Sequence, residues 1–130
     1  MRVLIVDDSV VMRMIVERVL RQAGLDVAEV LHAANGIEGL TALEKADAAG
    51  APPDLILCDV QMPVMDGLDF LLEKQRRNLA PHVPVMMITA EGSNPQVLKA
   101  IATGAQGYIA KPFTVRQMQA SVASLLPCAA

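Results

Sequence analysis

The sequence predicts an α/β domain with a doubly wound, five-stranded parallel sheet and five helices. Short apolar runs recur five times, and the first, Val3 to Val6, lacks polar alternation, as a strand covered on both faces requires. A stretch with apolar residues at helical spacing follows each run, and turn residues separate the units. Regular alternation of strand and helix requires parallel pairing, right-handed crossovers and helices on both faces of the sheet.

The first strand is Val3-Leu4-Ile5-Val6, ended by Asp7-Asp8-Ser9. From Met12 the apolar positions Ile15, Val16, Val19, Leu20 and Ala23 repeat with helical spacing, and Arg13, Glu17, Arg18, Arg21 and Gln22 take the other face. Gly24 stops this helix where a left-handed cap belongs. The second strand lies in the apolar run Val27 to Leu31. Its helix starts near Asn35-Gly36, turns Ile37, Leu40 and Leu43 inward, and gives way to an Ala-Gly-Pro-rich loop before Asp54. Leu55 to Cys58 forms the third strand, followed by the turn-rich Met62 to Gly67 and a helix with Leu68, Leu71 and Leu72. The fourth strand is Val85 to Ile88. Asn94 and Pro95 read as cap and first residue of the next helix, through Val97, Leu98 and Ile101 to Gly104. Gly107 to Ala110 is the fifth strand, and Thr114 caps a last helix with Val115, Met118, Val122, Leu125 and Leu126 on one face.

The chain has 130 residues, the size of one domain, so residues 1–130 are expected to fold as a single unit without an output domain. With 53% hydrophobic and 19% charged residues the composition is that of a compact protein rather than a disordered one. The 8 methionines read as adaptable core filling rather than a cofactor box. A formal charge of −3 and scattered arginines give no basic stripe for nucleic acid, and Arg76-Arg77 reads as a solvated helix end. No run is long enough to span a membrane or to form a signal-peptide core. Cys58, in an apolar strand, and Cys128, near the end, do not make a disulfide framework, so the cytoplasm is the expected compartment.

In a doubly wound sheet, ligands bind beyond the carboxyl ends of the strands, where the strand order reverses. Those ends carry Asp7 and Asp8, Asp59, Thr89 and Lys111. Singly, each has an ordinary reading: a helix cap, a satisfied loop hydroxyl, a solvated lysine. Together they are harder to dismiss, because three converging carboxylates repel one another and raise each other's pKa unless a cation lies among them. Mg²⁺ suits such a set, since it takes oxygen ligands and typically only one or two carboxylates, with water and phosphate oxygens completing the octahedron. Neither His32 nor His82 stands at zinc spacing from a Cys or second His, so both read as surface or partly buried loop residues.

Several spaced motifs carry a family resemblance: Val6-Asp7-Asp8-Ser9, Asp59 followed by Met62-Pro63 and Met65-Asp66-Gly67, Thr89-Ala90-Glu91, Gly104-Ala105, Gly107-Tyr108 and Lys111-Pro112-Phe113. Over essentially its whole length the chain resembles the response-regulator receiver domains of two-component signalling, most closely the single-domain chemotaxis, or CheY-like, type with its flavodoxin-like fold. The resemblance implies that Asp59 is the phosphoacceptor. It implies that Asp8, Asp59 and the backbone carbonyl of Gln61 hold Mg²⁺, with Asp7 acting through water. Lys111, Thr89 and the Ala90 backbone would contact the phosphoryl group, Thr89 and Tyr108 would form the switch, and the Lys111-Pro112 bond would be cis. Gln61 occupies a position that varies within the family and tunes the phosphoryl lifetime.

The implied partners are a sensor histidine kinase or histidine phosphotransfer protein, a target protein on the face of the fourth helix, fifth strand and fifth helix, and a phosphatase that shortens the signal. A chemotaxis-type regulator is the leading reading, with a phosphate sink or phosphorelay shuttle as its nearest rival. A Mg²⁺-dependent aspartyl-phosphate phosphatase also uses an Asp nucleophile on a parallel sheet. Such enzymes usually place it after the first strand and enclose substrate under a cap, for which no insertion here is long enough. A flavodoxin-like electron carrier is disfavoured because carboxylate-rich strand ends would repel a flavin phosphate.

Overall fold

The computed structural model describes residues 1–90 and 95–126, with residues 96–98 described through their backbone alone. Five strands and five helices alternate: β1 (Arg2–Val6), α1 (Val10–Gln22), β2 (Glu29–Ala33), α2 (Gly36–Ala48), β3 (Leu55–Asp59), α3 (Gly67–Arg76), β4 (Val85–Thr89), α4 (Pro95–Thr103), β5 (Gly107–Ala110) and α5 (Val115–Leu125). All pairings are parallel, in the order β2-β1-β3-β4-β5, so the chain reverses its direction of winding between β1 and β3. This is the expected doubly wound, flavodoxin-like sheet.

The unbroken apolar runs are explained by burial on both sides. Leu4, Val6, Ile56, Cys58, Val85 and Met87 join one core layer with Leu40, Leu43, Phe70 and Leu71 of α2 and α3. Val3, Ile5, Leu55, Leu57, Met86 and Ile88 join the other with Val16 and Leu20 of α1 and Met118 and Val122 of α5. Each fully buried Leu, Ile or Met contributes about 1.5–3 kcal/mol through removal from water, so the sheet dominates the stability of the fold. Met86, Met87 and Met118 are fully buried core filling, whereas Met14 is 64% exposed and corrects that reading for its position on α1.

Thr114 caps the last helix as expected, and three further helices carry side-chain caps of the same kind. Ser9, Asn35, Asp66 and Thr114 accept hydrogen bonds from the N–H groups of Met12, Glu38, Asp69 and Gln117, and Gln117 closes a reciprocal box with Thr114. Gly24 and Gly104 adopt positive φ of 80° and 121°, ending α1 and α4 with the left-handed residue that an L side chain resists. The Lys111-Pro112 bond is cis. Arg77 is not merely solvated: it pairs with Glu73 and crosses to Glu44 of α2 at 2.7 Å.

Several local expectations are corrected. β2 starts at Glu29 rather than Val27; Val27 is buried in the preceding turn, where its N–H bonds to the Leu25 carbonyl. His32 therefore lies on this edge strand, not in a loop. Ile15, Ile37 and Ile101 fit the helical spacing but are 42%, 48% and 42% exposed, since each helix meets the sheet along a narrower stripe than its apolar face. Asn94, Glu91 and Cys128, and the side chains of Val97 and Leu98, lie outside the described residues.

Candidate functional site

The pairing of Val6 with Cys58 sets Asp7 and Asp59 side by side at the carboxyl ends of β1 and β3, at the point where the winding reverses. Asp7 is fixed from several sides. Its N–H bonds to the Ala33 carbonyl at 3.0 Å, its Oδ1 accepts from Ser9 N–H at 2.9 Å, and its carbonyl accepts from the Arg13 guanidinium. Asp59 ends the fully buried β3, and its Oδ1 accepts a 3.4 Å bond from Gln61 N–H. Behind it the Cys58 thiol donates to the Asp59 carbonyl at 3.3 Å. Asp8 projects into solvent, yet the three aspartates each present a carboxylate oxygen, all lying within 4.8 Å of one another.

Lys111, just past β5, reaches this cluster. Its Nζ lies 3.4 Å from Asp59 Oδ2 and 3.8 Å from Asp7 Oδ2. Its N–H bonds to the Thr89 carbonyl at 2.7 Å, which ties the turn after β5 to the end of β4. Thr89 is buried and Ala90, the next residue, is exposed. Tyr108 pairs with Met87, so it shares a face of the sheet with Thr89, two residues further along β4, and it is 43% exposed.

Burial is the main influence on both inner carboxylates and raises the pKa of each above the ordinary value of 3.8. At Asp7 the Ser9 N–H opposes the rise and Asp59 reinforces it; at Asp59, Lys111 is the chief opposing influence. Asp7 Oδ2 is buried without a hydrogen-bond partner. The all-oxygen donor set, the excess of carboxylate over ammonium charge and this orphaned oxygen fit a hard divalent cation such as Mg²⁺.

The loop after Asp59 returns over the site. Gly67 N–H bonds to the Val60 carbonyl, and a Cβ on Gly67 would strike the Asp59 carbonyl oxygen and come within 2.7 Å of Met87 Cε. Only a residue without a side chain lets α3 start this close to β3. Val64, in the same loop, has φ of 70°, an outlying value for a β-branched residue.

The family model for the response regulator receiver domain matches residues 3–123. The chain belongs to the response-regulator receiver family. Among curated relatives, the chemotaxis protein CheY1 of Helicobacter pylori strain J99 is 40% identical over 114 residues, covering 88% of this chain and 87% of its own. The structure of Vibrio cholerae chemotaxis protein CheY4 superposes with a TM-score of 0.77 at 36% identity, covering 96% and 98% of the two chains. CheY in the CheX-CheY-BeF3-Mg complex of Borrelia burgdorferi superposes with a TM-score of 0.77 at 29% identity, covering 95% and 87%.

Receiver domains are signalling proteins rather than turnover enzymes, and they bind Mg²⁺ at an acidic pocket; in this receiver the acidic cluster is Asp7, Asp8 and Asp59. The structure thus brings Asp7, Asp8, Asp59 and Lys111 together, with Thr89 and Ala90 at the neighbouring strand end and Tyr108 further down β5. Gln61 lies beside Asp59 through its backbone. Arg13 escaped sequence reasoning: it stands among the polar residues of α1, yet it is half-buried, its guanidinium folds back onto the Asp7 carbonyl, and its Nε is buried without a partner. Its place one turn after the Asp-Asp pair is the only sequence signal that could have found it.

Proposed function

We propose that this receiver accepts a phosphoryl group on Asp59 from a histidine kinase or histidine phosphotransfer protein and, while phosphorylated, changes its affinity for a target protein in chemotaxis-type signalling. The observation that carries this reading is Asp59 itself: a largely buried carboxylate at the topological switch point, with a lysine ammonium 3.4 Å away and two further aspartates beside it.

In this reading an Asp59 carboxylate oxygen attacks phosphorus, an oxygen–phosphorus bond forms, and the donor's phosphorus–nitrogen bond breaks with its electron pair returning to the imidazole. The incoming group is already negative, so the protein's contribution is positioning and charge neutralisation. Lys111 supplies an ammonium on one side of Asp59, and Arg13 and Ser9 hold Asp7 in place. Asp8, Asp59 and the Gln61 carbonyl would hold Mg²⁺, with Asp7 acting through water; the ion would offset charge on the transferring oxygens. The Thr89 hydroxyl and the Ala90 N–H are the donors for the new phosphoryl oxygens. A hydrogen bond to such a charged group is worth roughly 1.5–3 kcal/mol, enough to shift a two-state equilibrium by an order of magnitude or more. Water attack on the acyl phosphate then restores Asp59.

Residues 1–130 act as one receiver unit in the cytoplasm, and the face of α4, β5 and α5 with Tyr108 is the proposed output surface. The relatives named as chemotaxis proteins favour this over a sink or relay shuttle. The Borrelia CheY, held with CheX, BeF3 and Mg, supports a partner that meets the activated form, and a phosphatase is one such partner.

The test is labelling by acetyl phosphate or a cognate kinase, which is expected only with a divalent cation and not in Asp59→Asn. Full labelling without metal, or stable labelling of Asp59→Asn, would remove Asp59 from the role. In a parallel melt, Mg²⁺ should raise the Tm of the wild type and not of Asp8→Asn; an equal rise would remove Asp8 from the metal site.

A further inference from the structure

At the opposite end of the sheet from the aspartates, a cavity of about 300 Å³ opens between the end of α3, the loop leading into β4 and the turn leading into β5. It is lined by Leu71, Lys74, Gln75, Leu79, Gln106 and their neighbours. Its size lies at the lower bound of small-molecule sites, about 300–1,000 Å³.

Lys74 sets it apart. Lysines are almost never buried without a counter-charge, yet Lys74 is only 7% exposed, and among the described residues its ammonium makes no hydrogen bond or ion pair. Among the described residues no carboxylate lines the cavity. Asp47 is the acidic residue whose field reaches Lys74, and its Oδ2 is already turned to the Ala80 N–H at 3.4 Å. Burial of most of the side chain lowers the Lys74 pKa from its ordinary 10.5, and the field of Asp47 opposes the fall.

The other polar groups add donors. Gln106 spends its carboxamide oxygen on Val85 N–H at 2.8 Å, which leaves its NH₂ as the free end. Gln75 donates to the Thr103 carbonyl, and Gly104 makes room for it, since a Cβ there would collide with the Gln75 amide. Asn78 adds a further carboxamide at the rim. A pocket with an unpaired ammonium on a largely buried lysine, carboxamide N–H donors and, among the described residues, no acid is complementary to a small negatively charged group with several acceptor oxygens.

We propose that this cavity is a binding site for a small oxyanion, a phosphate or a short carboxylate, held by Lys74 with Gln106 and Asn78. The site is separate from the aspartate cluster and does not depend on phosphoryl transfer. An occupant would bridge α3, the β4 entry loop and the turn before β5, adding to the Gln75–Thr103 and Val85–Gln106 hydrogen bonds that already join them.

The test uses the full chain in chelator at constant ionic strength, titrated with inorganic phosphate and separately with acetate, and followed by thermal melting and by backbone amide shifts. Saturable stabilisation is expected with at least one of the two anions, with the largest shifts at Gly104, Gln106 and Leu79. Lys74→Met, which keeps the side-chain length and is suited to a buried position, should weaken binding at least about tenfold, whereas Lys111→Met should leave it unchanged. An equal response in wild type and Lys74→Met overturns the site. So does a response lost in Lys111→Met but kept in Lys74→Met, which would move the anion to the aspartate end, and so does the absence of a saturable response to both anions.

Discussion

Asp59 is asked to be a nucleophile while largely buried and within reach of two other carboxylates. Its raised pKa records what that costs: burial first, then repulsion, only partly offset by Lys111 and the Gln61 N–H. For a carboxylate with a folded pKa above its unfolded one, the stabilising contribution is complete below the unfolded value, near 3.8, and is lost as pH rises through the folded value. Asp7 has the same sign, so at neutral pH without metal both residues oppose folding. Asp59→Asn should therefore be more stable than the wild type in chelator at pH 7, by about 1 kcal/mol, and the gap should close towards pH 4 as the wild-type carboxylates protonate. Urea midpoints at the two pH values measure this; a gap that is absent at pH 7, or that widens in acid, contradicts it. The same reasoning reaches Cys58, whose thiol is pushed well above its ordinary pKa by complete burial, with Asp59 adding to the rise, so it stays protonated and inert below the acceptor.

At the scale of elements, the loop from β3 to α3 holds two opposite solutions to one demand. The chain must turn sharply after Asp59, and Gly67 meets this by having no side chain, whereas Val64 meets it at a φ of 70° that β-branched residues resist. Val64 is 77% exposed, so little packing repays the strain. Val64→Asn, which tolerates the left-handed region, should raise stability by about 1 kcal/mol, seen as a higher urea midpoint at unchanged m-value, while Gly67→Ala should lower it by about 2–3 kcal/mol.

Legibility in the sequence followed the same physics. β1, β3 and β4 were readable because burial on both faces leaves no alternation to confuse them, and the edge strand β5 because Gly104 and Lys111-Pro112 bound it. β2 is an edge strand with exposed Glu29 and His32, and its apolar lead-in at Val27 belongs to a turn, so its start was misplaced. Helix caps were readable because their chemistry is local. The outward-facing Ile15, Ile37 and Ile101 were not, because periodicity marks an apolar face without saying how much of it a neighbour covers. The aspartates and Lys111 were found through the rule that strand ends carry function. Arg13 and Lys74 were missed for one reason: a charged residue within a helix reads as solvated, and only the folded chain shows which of them is turned inward.

For the molecule as a whole, function requires that an event at Asp59 be felt on another face. Thr89 and Tyr108 share one side of the sheet, and Tyr108 is the only tyrosine in a chain with no tryptophan, so its emission reports one position. If the Thr89 hydroxyl moves towards a phosphoryl group, it vacates space into which Tyr108 can turn. Acrylamide quenching of Tyr108 should then fall when Mg²⁺ and beryllofluoride are added. Thr89→Ala should still bind beryllofluoride, because it removes neither acceptor nor metal ligand, but with a weakened quenching change. Equal quenching in free and activated wild type would disconnect Tyr108 from the acceptor.

The sheet has a gradient built into its order. β3 lies at the centre with all five residues buried, while β5, at one edge, is a four-residue strand with one buried residue, Ile109. Opening a central strand requires both core layers to part, whereas an edge strand can release alone. Amide hydrogens of Leu57 and Cys58 should thus exchange with deuterium only through global unfolding, and those of Tyr108 and Ala110 through cheaper local opening, orders of magnitude faster. Asp59 is mounted on the central strand and Lys111 follows an edge strand. A phosphoryl group held between them would tether a loose edge to a fixed centre, and slower exchange along β5 in the beryllofluoride-bound protein is the expected signature.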